Sequence, residues 1–253
     1  MPLIRTPGPG FGAAATGNEA RTLPGPAPRT PVGGPLQVSQ LWRYPVKSMA
    51  GESLDVAAVT KEGVAGDRLA YVLGPEGIRT SRRHHRLLGH RGTVGEDGLP
   101  LIDGLAWDAP EALELVHAAA GADAELRLSR GLERFDVLPL LVATDGAVAL
   151  FGRDVRRLRP NLVIAGVDGL AERAWPGSEL HIGDVVIRLD SLRPRCPMTT
   201  VDPDTLERDP EVLRDIGRRF AGRLALNAEV LVPGLVRMGD SARLVSPRPE
   251  IQE

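Results

Sequence analysis

The sequence predicts a mainly β fold with a few helices, of the α+β class. Three observations carry this expectation. Short strand-like runs end in glycine-bearing turns, the second half holds apolar runs of strand length, and helix-starting signals occur at Asp108 and Asp209. With 253 residues, 42% of them hydrophobic, the chain can fill the core of one large domain or two small ones.

Residues 1–35 contain eight prolines and seven glycines without a period. Such a composition buries too little apolar surface to fold, and the segment reads as a disordered tail. A start codon assigned too far upstream is the alternative. From Leu36 to Leu41 apolar and polar residues alternate as in a half-buried strand, and Leu54–Val59 and Leu69–Leu73 repeat that signal. Gly74-Pro75-Glu76-Gly77 supplies a turn, and the spacing suggests a small barrel or sandwich. A helix follows Asp108, with Pro110 early, Glu111 completing a capping box and Gly121 as its stop. A domain boundary is expected near 125–135, dividing a unit at 36–130 from one at 131–247, with a tail at 248–253.

The second unit opens with an apolar run, Val137–Ala143, followed by Leu162–Ala165 and a strand pair across Leu180–Leu189 hinged on Gly183-Asp184. A helix starts at Asp209-Pro210, with Val212, Leu213, Ile216 and Phe220 on one face and Gly222 beyond. Val230–Val232, Val236–Met238 and Ala242–Val245 close the unit as strands. No internal repeat of solenoid length is present.

The formal charge of −2 argues against nucleic acid as the main partner. No apolar run is long enough to span a membrane, and no secretory leader is evident. A single cysteine, Cys196, fits a reducing compartment, and the expected location is the cytoplasm.

Cys196 lies in Leu192-Arg193-Pro194-Arg195-Cys196-Pro197-Met198-Thr199-Thr200-Val201-Asp202-Pro203-Asp204. One thiol makes no internal disulfide, which leaves packing, metal ligation or redox chemistry. The flanking arginines favour the thiolate. Three other segments carry chemistry. In Tyr44-Pro45-Val46-Lys47-Ser48 a lysine and a hydroxyl can share one phosphate, although a surface lysine at a strand end is the plain alternative. Gly66-Asp67-Arg68 reads either as a turn with a solvated ion pair or as an anion ligand. Arg159-Pro160-Asn161 reads either as an ordinary turn or as a donor-acceptor edge. The run Arg79, Arg82, Arg83, His84, His85, Arg86, His90, Arg91 is the most basic stretch, either a solvated loop or an anion-facing wall, and its histidines lack zinc-site spacing.

These four motifs, in this order, resemble the MOSC family, over about residues 36–247. The resemblance is to members that join an N-terminal β-barrel to the MOSC domain, the mitochondrial amidoxime-reducing component among them, and to the C-terminal domain of molybdenum cofactor sulfurases. It implies an N-terminal β-barrel-like domain packed on a MOSC-type β-barrel domain, and a molybdenum cofactor (molybdopterin with Mo). Carried over by motif, Lys47, Ser48 and Arg68 meet the phosphate end. Arg82, in Thr80-Ser81-Arg82, together with Arg159 and Asn161, adds cofactor contacts. Cys196 becomes the metal ligand and a catalytic residue, with Arg195, Thr199 and Thr200 around it. Asp202 is either the proton donor or a former of the Asp202-Pro203-Asp204 turn.

The implied activity is reduction of N-hydroxylated compounds, with a separate flavin or iron-sulfur protein as electron donor, since the chain lacks the clustered cysteines of a ferredoxin module. The alternatives are a molybdenum cofactor or sulfur (persulfide) carrier without turnover, and a cofactor-free binding module. Pyridoxal phosphate is not expected, because a desulfurase domain does not fit in this length.

Overall fold

In the computed structural model, residues 35–129, 131 and 134–246 are described. The expected tails at 1–35 and 248–253 fall outside them, apart from Pro35. In chain order the elements are β1 (Leu36–Arg43), β2 (Glu52–Leu54), β3 (Val56–Thr60), β4 (Gly63–Val64), β5 (Ala70–Gly74), β6 (Gly77–Arg79), β7 (Gly92–Val94), β8 (Pro100–Ile102) and β9 (Leu105–Ala106). Then come α1 (Pro110–Ala120), β10 (Glu125–Leu128), β11 (Leu140–Thr144), α2 (Asp145–Phe151), β12 (Leu162–Ala165), β13 (Glu179–Ile182) and β14 (Val185–Pro194). The chain closes with α3 (Pro210–Phe220), β15 (Arg223–Val232), β16 (Gly234–Arg237) and β17 (Ser241–Val245). The expected mainly β architecture with a few helices is what the structure shows.

Seven strands form a closed barrel in the order β12-β11-β15-β14-β13-β17-β1, with β1 returning to β12. Closure removes the open edges that a sheet otherwise exposes. Val38, Val142, Ile164, Leu180, Ile187 and Leu226 fill the interior, each fully buried. Each such side chain contributes about 1.5–3 kcal/mol relative to exposure. The pairings around the barrel are antiparallel except β11 with β12, which run parallel, with α2 in the crossover between them. β1, from the start of the described chain, therefore completes a barrel built otherwise from strands about one hundred to two hundred residues later.

The strand signal at Leu36–Leu41 meets one irregularity. The register of β1 against β12 shifts between Val38 and Gln40, a bulge that turns Leu41 instead of Gln40 into the core. A second core lies beneath α1, where Val46, Met49, Val72, Leu87, Ile102 and Val116 pack beside the three-stranded sheets β10-β5-β6 and β7-β8-β9.

The helices show how capping decides boundaries. α3 begins as expected, with the Asp209 side chain accepting from Glu211 N at 3.0 Å. α1 does not use Asp108: its N-cap is Ala109, without a side-chain cap, because Pro110 itself sets the first turn. α2 was not expected; Thr144 caps it, accepting from Ala147 N at 3.3 Å, and Gly152 ends it at φ 67°. Among the described residues no helix is long and apolar enough to cross a membrane.

Candidate functional site

The end of β1 and the starts of β11 and β12 meet at one rim of the barrel. Trp42 N donates to Asn161 O at 2.8 Å and Asn161 N to Leu141 O at 2.7 Å. Tyr44-Pro45-Val46-Lys47-Ser48 leaves β1 here, and Val46 bridges to Ala70. Gly51 lets the chain fold back closely, since a Cβ there would strike Arg43 O and the Tyr44 ring.

Asp67 joins three of the motifs. Its carboxylate is buried, accepts from Tyr44 N at 2.7 Å and from Asn161 Nδ2 at 3.3 Å, and pairs with Arg68. Asn161 is wholly inside: Oδ1 accepts from Leu141 N at 3.1 Å, and Nδ2 also donates to Trp42 O at 3.3 Å. Its amide is therefore engaged by the chain itself, and the structure places Asn161 behind the cavity wall. Arg159 lies over the Tyr44 ring with Cζ 4.1 Å from the centroid, and donates to Met49 O at 2.5 Å. Burial pushes its pKa down to about 10, which leaves it charged at neutral pH. Ser48, Arg68 and Arg159 hold φ values of 71°, 52° and 56°, in the left-handed region that non-glycine residues avoid. Such strain concentrates at functional sites.

Lys47, Ser48, Arg68, Arg82, Arg159 and Arg193 line one cavity of about 60 Å³, closed on its apolar side by Phe135, Leu138 and Met198. Asp136, Leu138, Arg159, Arg193 and Met198 are shared with a second cavity of about 50 Å³ that holds Arg195 and Cys196. Cys196 is half-buried and free. It precedes a 3₁₀ turn at Pro197–Thr200, in which Thr199 Oγ1 donates to Cys196 O at 2.9 Å and Thr200 Oγ1 to Pro197 O at 2.6 Å. The two hydroxyls thus brace the cysteine loop. Arg195 donates to Leu158 O at 2.8 Å, while its buried Nε has no partner. Burial lowers the Arg195 pKa, and the neighbouring sulfur pulls the other way.

Asp136 escaped the sequence reading. It accepts from Lys47 Nζ at 2.9 Å, from Arg82 at 2.6 Å and from Arg193 at 3.1 Å, gathering three cations from separate segments. Burial alone would raise its pKa; the Lys47 hydrogen bond and the charges of Lys47, Arg82 and Arg193 win and hold it below the usual carboxylate range. Its position beside the expected domain boundary at 125–135 hid it, and a lone acid carries no motif. Arg193 appeared only as a flank of Cys196.

Asp202 adopts the turn-forming alternative. Oδ1 accepts from Asp204 N and Thr205 N, both at 3.0 Å, and Oδ2 pairs with Arg157 at 2.7 Å. These backbone bonds first, and then Arg157, hold its pKa low, and it lines neither cavity. A third cavity, of about 310 Å³, lies across Arg159 and Met198, walled by Trp42, Tyr44 and Leu88.

The donor set fits an anionic cofactor with a soft metal. Arginine and lysine outnumber the carboxylates in the two small cavities, an arginine nitrogen is buried without an acceptor, and the single thiol stands beside them.

Fold and site together define a β-barrel protein with a cation-lined cavity beside its single thiol. The chain belongs to the MOSC family: the MOSC N-terminal beta barrel domain matches residues 36–127 and the MOSC domain residues 147–243. It is similar to mitochondrial amidoxime-reducing component 1 of Mus musculus, 28% identical over 93% of this chain and 90% of the mouse protein. The Homo sapiens counterpart is 26% identical over 82% of each chain. A molybdenum cofactor sulfurase of Bombyx mori is 32% identical over 37% of this chain and 11% of its own length. These likenesses support a MOSC function related to the molybdenum cofactor.

Asp67→Ala leaves Arg68 and Tyr44 N without their buried acceptor and should lower stability by about 3–5 kcal/mol in urea unfolding; a loss under about 1 kcal/mol would mean that the three motifs are held by other contacts. For Asp136, the folded pKa lies below the unfolded one. Its stabilisation is therefore present above about pH 4 and lost as pH falls through the folded value. Asp136→Asn should accordingly show a shallower fall in Tm than the wild type between about pH 4 and 2.5.

Proposed function

We propose that this protein holds the molybdenum cofactor in the cation-lined cavity against Cys196 and reduces N-hydroxylated compounds with electrons from a separate donor protein. The observation that carries this reading is the continuity of a phosphate-type donor set, Lys47, Arg68, Arg82, Arg159 and Arg193, with a cavity holding the single thiol. The amidoxime-reducing relatives support the substrate class.

When bound, the cofactor supplies a molybdenum centre able to pass two electrons. Lys47, Ser48 and Arg68 hold its phosphate end, with Arg68 aimed by Asp67, and Asn161 acts through Asp67 as a positioning residue. Cys196 ligates the metal, Arg195 offsets the thiolate charge, and Thr199 and Thr200 keep the cysteine loop in shape. Phe135, Leu138 and Met198 limit the access of water to the cavity. Overall, the substrate N–O bond breaks with uptake of two electrons and two protons, giving N–H and water. A free thiol in this role suits a reducing compartment such as the cytoplasm.

One observation favours a second reading, a carrier of the cofactor or of a persulfide on Cys196. Asp136 and Asp202 are both held ionised, so neither is poised to deliver a proton. Cofactor-loaded protein, supplied with reduced methyl viologen, separates the two. Conversion of benzamidoxime to benzamidine, falling by more than about a hundredfold in Cys196→Ser, is the result expected of a reductase. Loaded wild-type protein that forms no benzamidine overturns the reductase reading and leaves the carrier.

A further inference from the structure

Surface arginines of this chain are commonly paired. Arg127 meets Glu125, Arg188 meets Glu229, Arg214 meets Glu211 and Arg219 meets Asp215. Arg83, Arg86, Arg91 and Arg208 are exposed and make no ion pair among the described residues; Arg223, Arg237 and Arg243 share this elsewhere on the surface, and what sets the first group apart is its clustering beside the site. Three of them adjoin one another. Arg208 donates to Arg82 O at 3.1 Å, and Arg86 and Arg208 both act on His85, while Arg83 acts on His84.

The backbone beneath the strip is anchored. Arg83 N and His84 N donate to Thr80 O at 3.1 and 2.9 Å, and Leu87 and Ser81 are fully buried. Holding these side chains for a partner therefore orders little additional backbone. Burial first, and then the neighbouring arginines, lower the pKa of His84 and His85, while Asp123, which lines the adjoining groove with Glu76, pulls His84 the other way. The net charge of −2 makes this surplus a local feature.

The strip reaches the site through Arg82, whose guanidinium pairs with Asp136, a residue that lines the cavity holding Cys196. Thr80 and Arg82 line both the 60 Å³ cavity and an open groove of about 490 Å³ that includes Arg83 and His84.

Resting on the redox reading above, we propose that the strip of Arg83, Arg86 and Arg208 is the docking surface for the electron donor, a small iron-sulfur protein ringed by carboxylates. Guanidinium forks match carboxylates two bonds at a time, and weak redox encounters use small, electrostatically steered interfaces. Two reduced one-electron donors dock in turn, each giving one electron, and the substrate takes both with two protons as its N–O bond breaks.

The test is calorimetric titration of the protein with an acidic [2Fe–2S] ferredoxin at about 50 and about 300 mM salt. Wild-type affinity should fall by about tenfold or more between the two. At low salt Arg83→Glu/Arg86→Glu should bind at least about tenfold more weakly than wild type, while the charge-matched Arg237→Glu/Arg243→Glu, on β16 and β17, keeps wild-type affinity. Equal loss in both variants, no loss in the first, absence of binding at low salt, or equal capture of a duplex oligonucleotide would each overturn the proposal. Because binding is read without turnover, failure here leaves the cofactor assignment standing, and failure of the benzamidoxime assay leaves the docking surface measurable.

Discussion

The site depends on one buried carboxylate. Asp67 bonds the backbone of Tyr44, the amide of Asn161 and the guanidinium of Arg68, so it fastens the exit of β1, the Gly66-Asp67-Arg68 turn and the entry to β12 to one another. Each of those segments is far from the others in sequence, and each carries a cation toward the cavity. Without a buried acceptor at the centre, Arg68 and Arg159 would bring like charges together with little to hold them. Aromatic faces add to the support: Arg159 sits over Tyr44, and Arg134 over Phe135 at 4.8 Å.

Closure of the barrel makes this arrangement possible. β1 pairs with β12 on one edge and with β17 and β2 on the other, which fixes the direction in which Tyr44–Ser48 leaves the sheet. Left-handed backbone at Ser48, Arg68 and Arg159 then turns three residues toward the cavity at sharp bends. Each such residue costs about 1–2 kcal/mol against an ordinary conformation, and the surrounding packing and hydrogen bonds offset it. The same packing sets Asp136 among Lys47, Arg82 and Arg193, so the cationic cavity carries one internal counter-charge.

Much of the lining of the two small cavities was legible in the sequence because it sits in short motifs with unusual residue pairings: a lysine beside a serine after Tyr-Pro, and a single cysteine between arginines and prolines. The strands that hold an alternating or apolar pattern were legible too. Closure by β1 was not, since pairing between residues about 120 apart leaves no local trace. β7 to β10 are short and interrupted by turns, and α2 is a seven-residue helix following directly on β11, so neither offers a full period to read. Asn161 shows a different limit. Its residue type announces a hydrogen-bonding edge, and only the fold shows that the edge faces Asp67, Trp42 and Leu141. Asp202 is similar: both alternatives were visible in Asp202-Pro203-Asp204, and the hydrogen bonds from Asp204 N and Thr205 N chose the turn.

The most direct measurement is the molybdenum and pterin content of protein purified from a host that makes the cofactor, with Cys196→Ala and Lys47→Ala beside the wild type. Near-stoichiometric metal and pterin in the wild type, with metal ligation lost in Cys196→Ala and pterin retention weakened in Lys47→Ala, is the predicted result. Wild-type protein free of both, from a host shown to supply the cofactor to another protein, would contradict the assignment of this cavity.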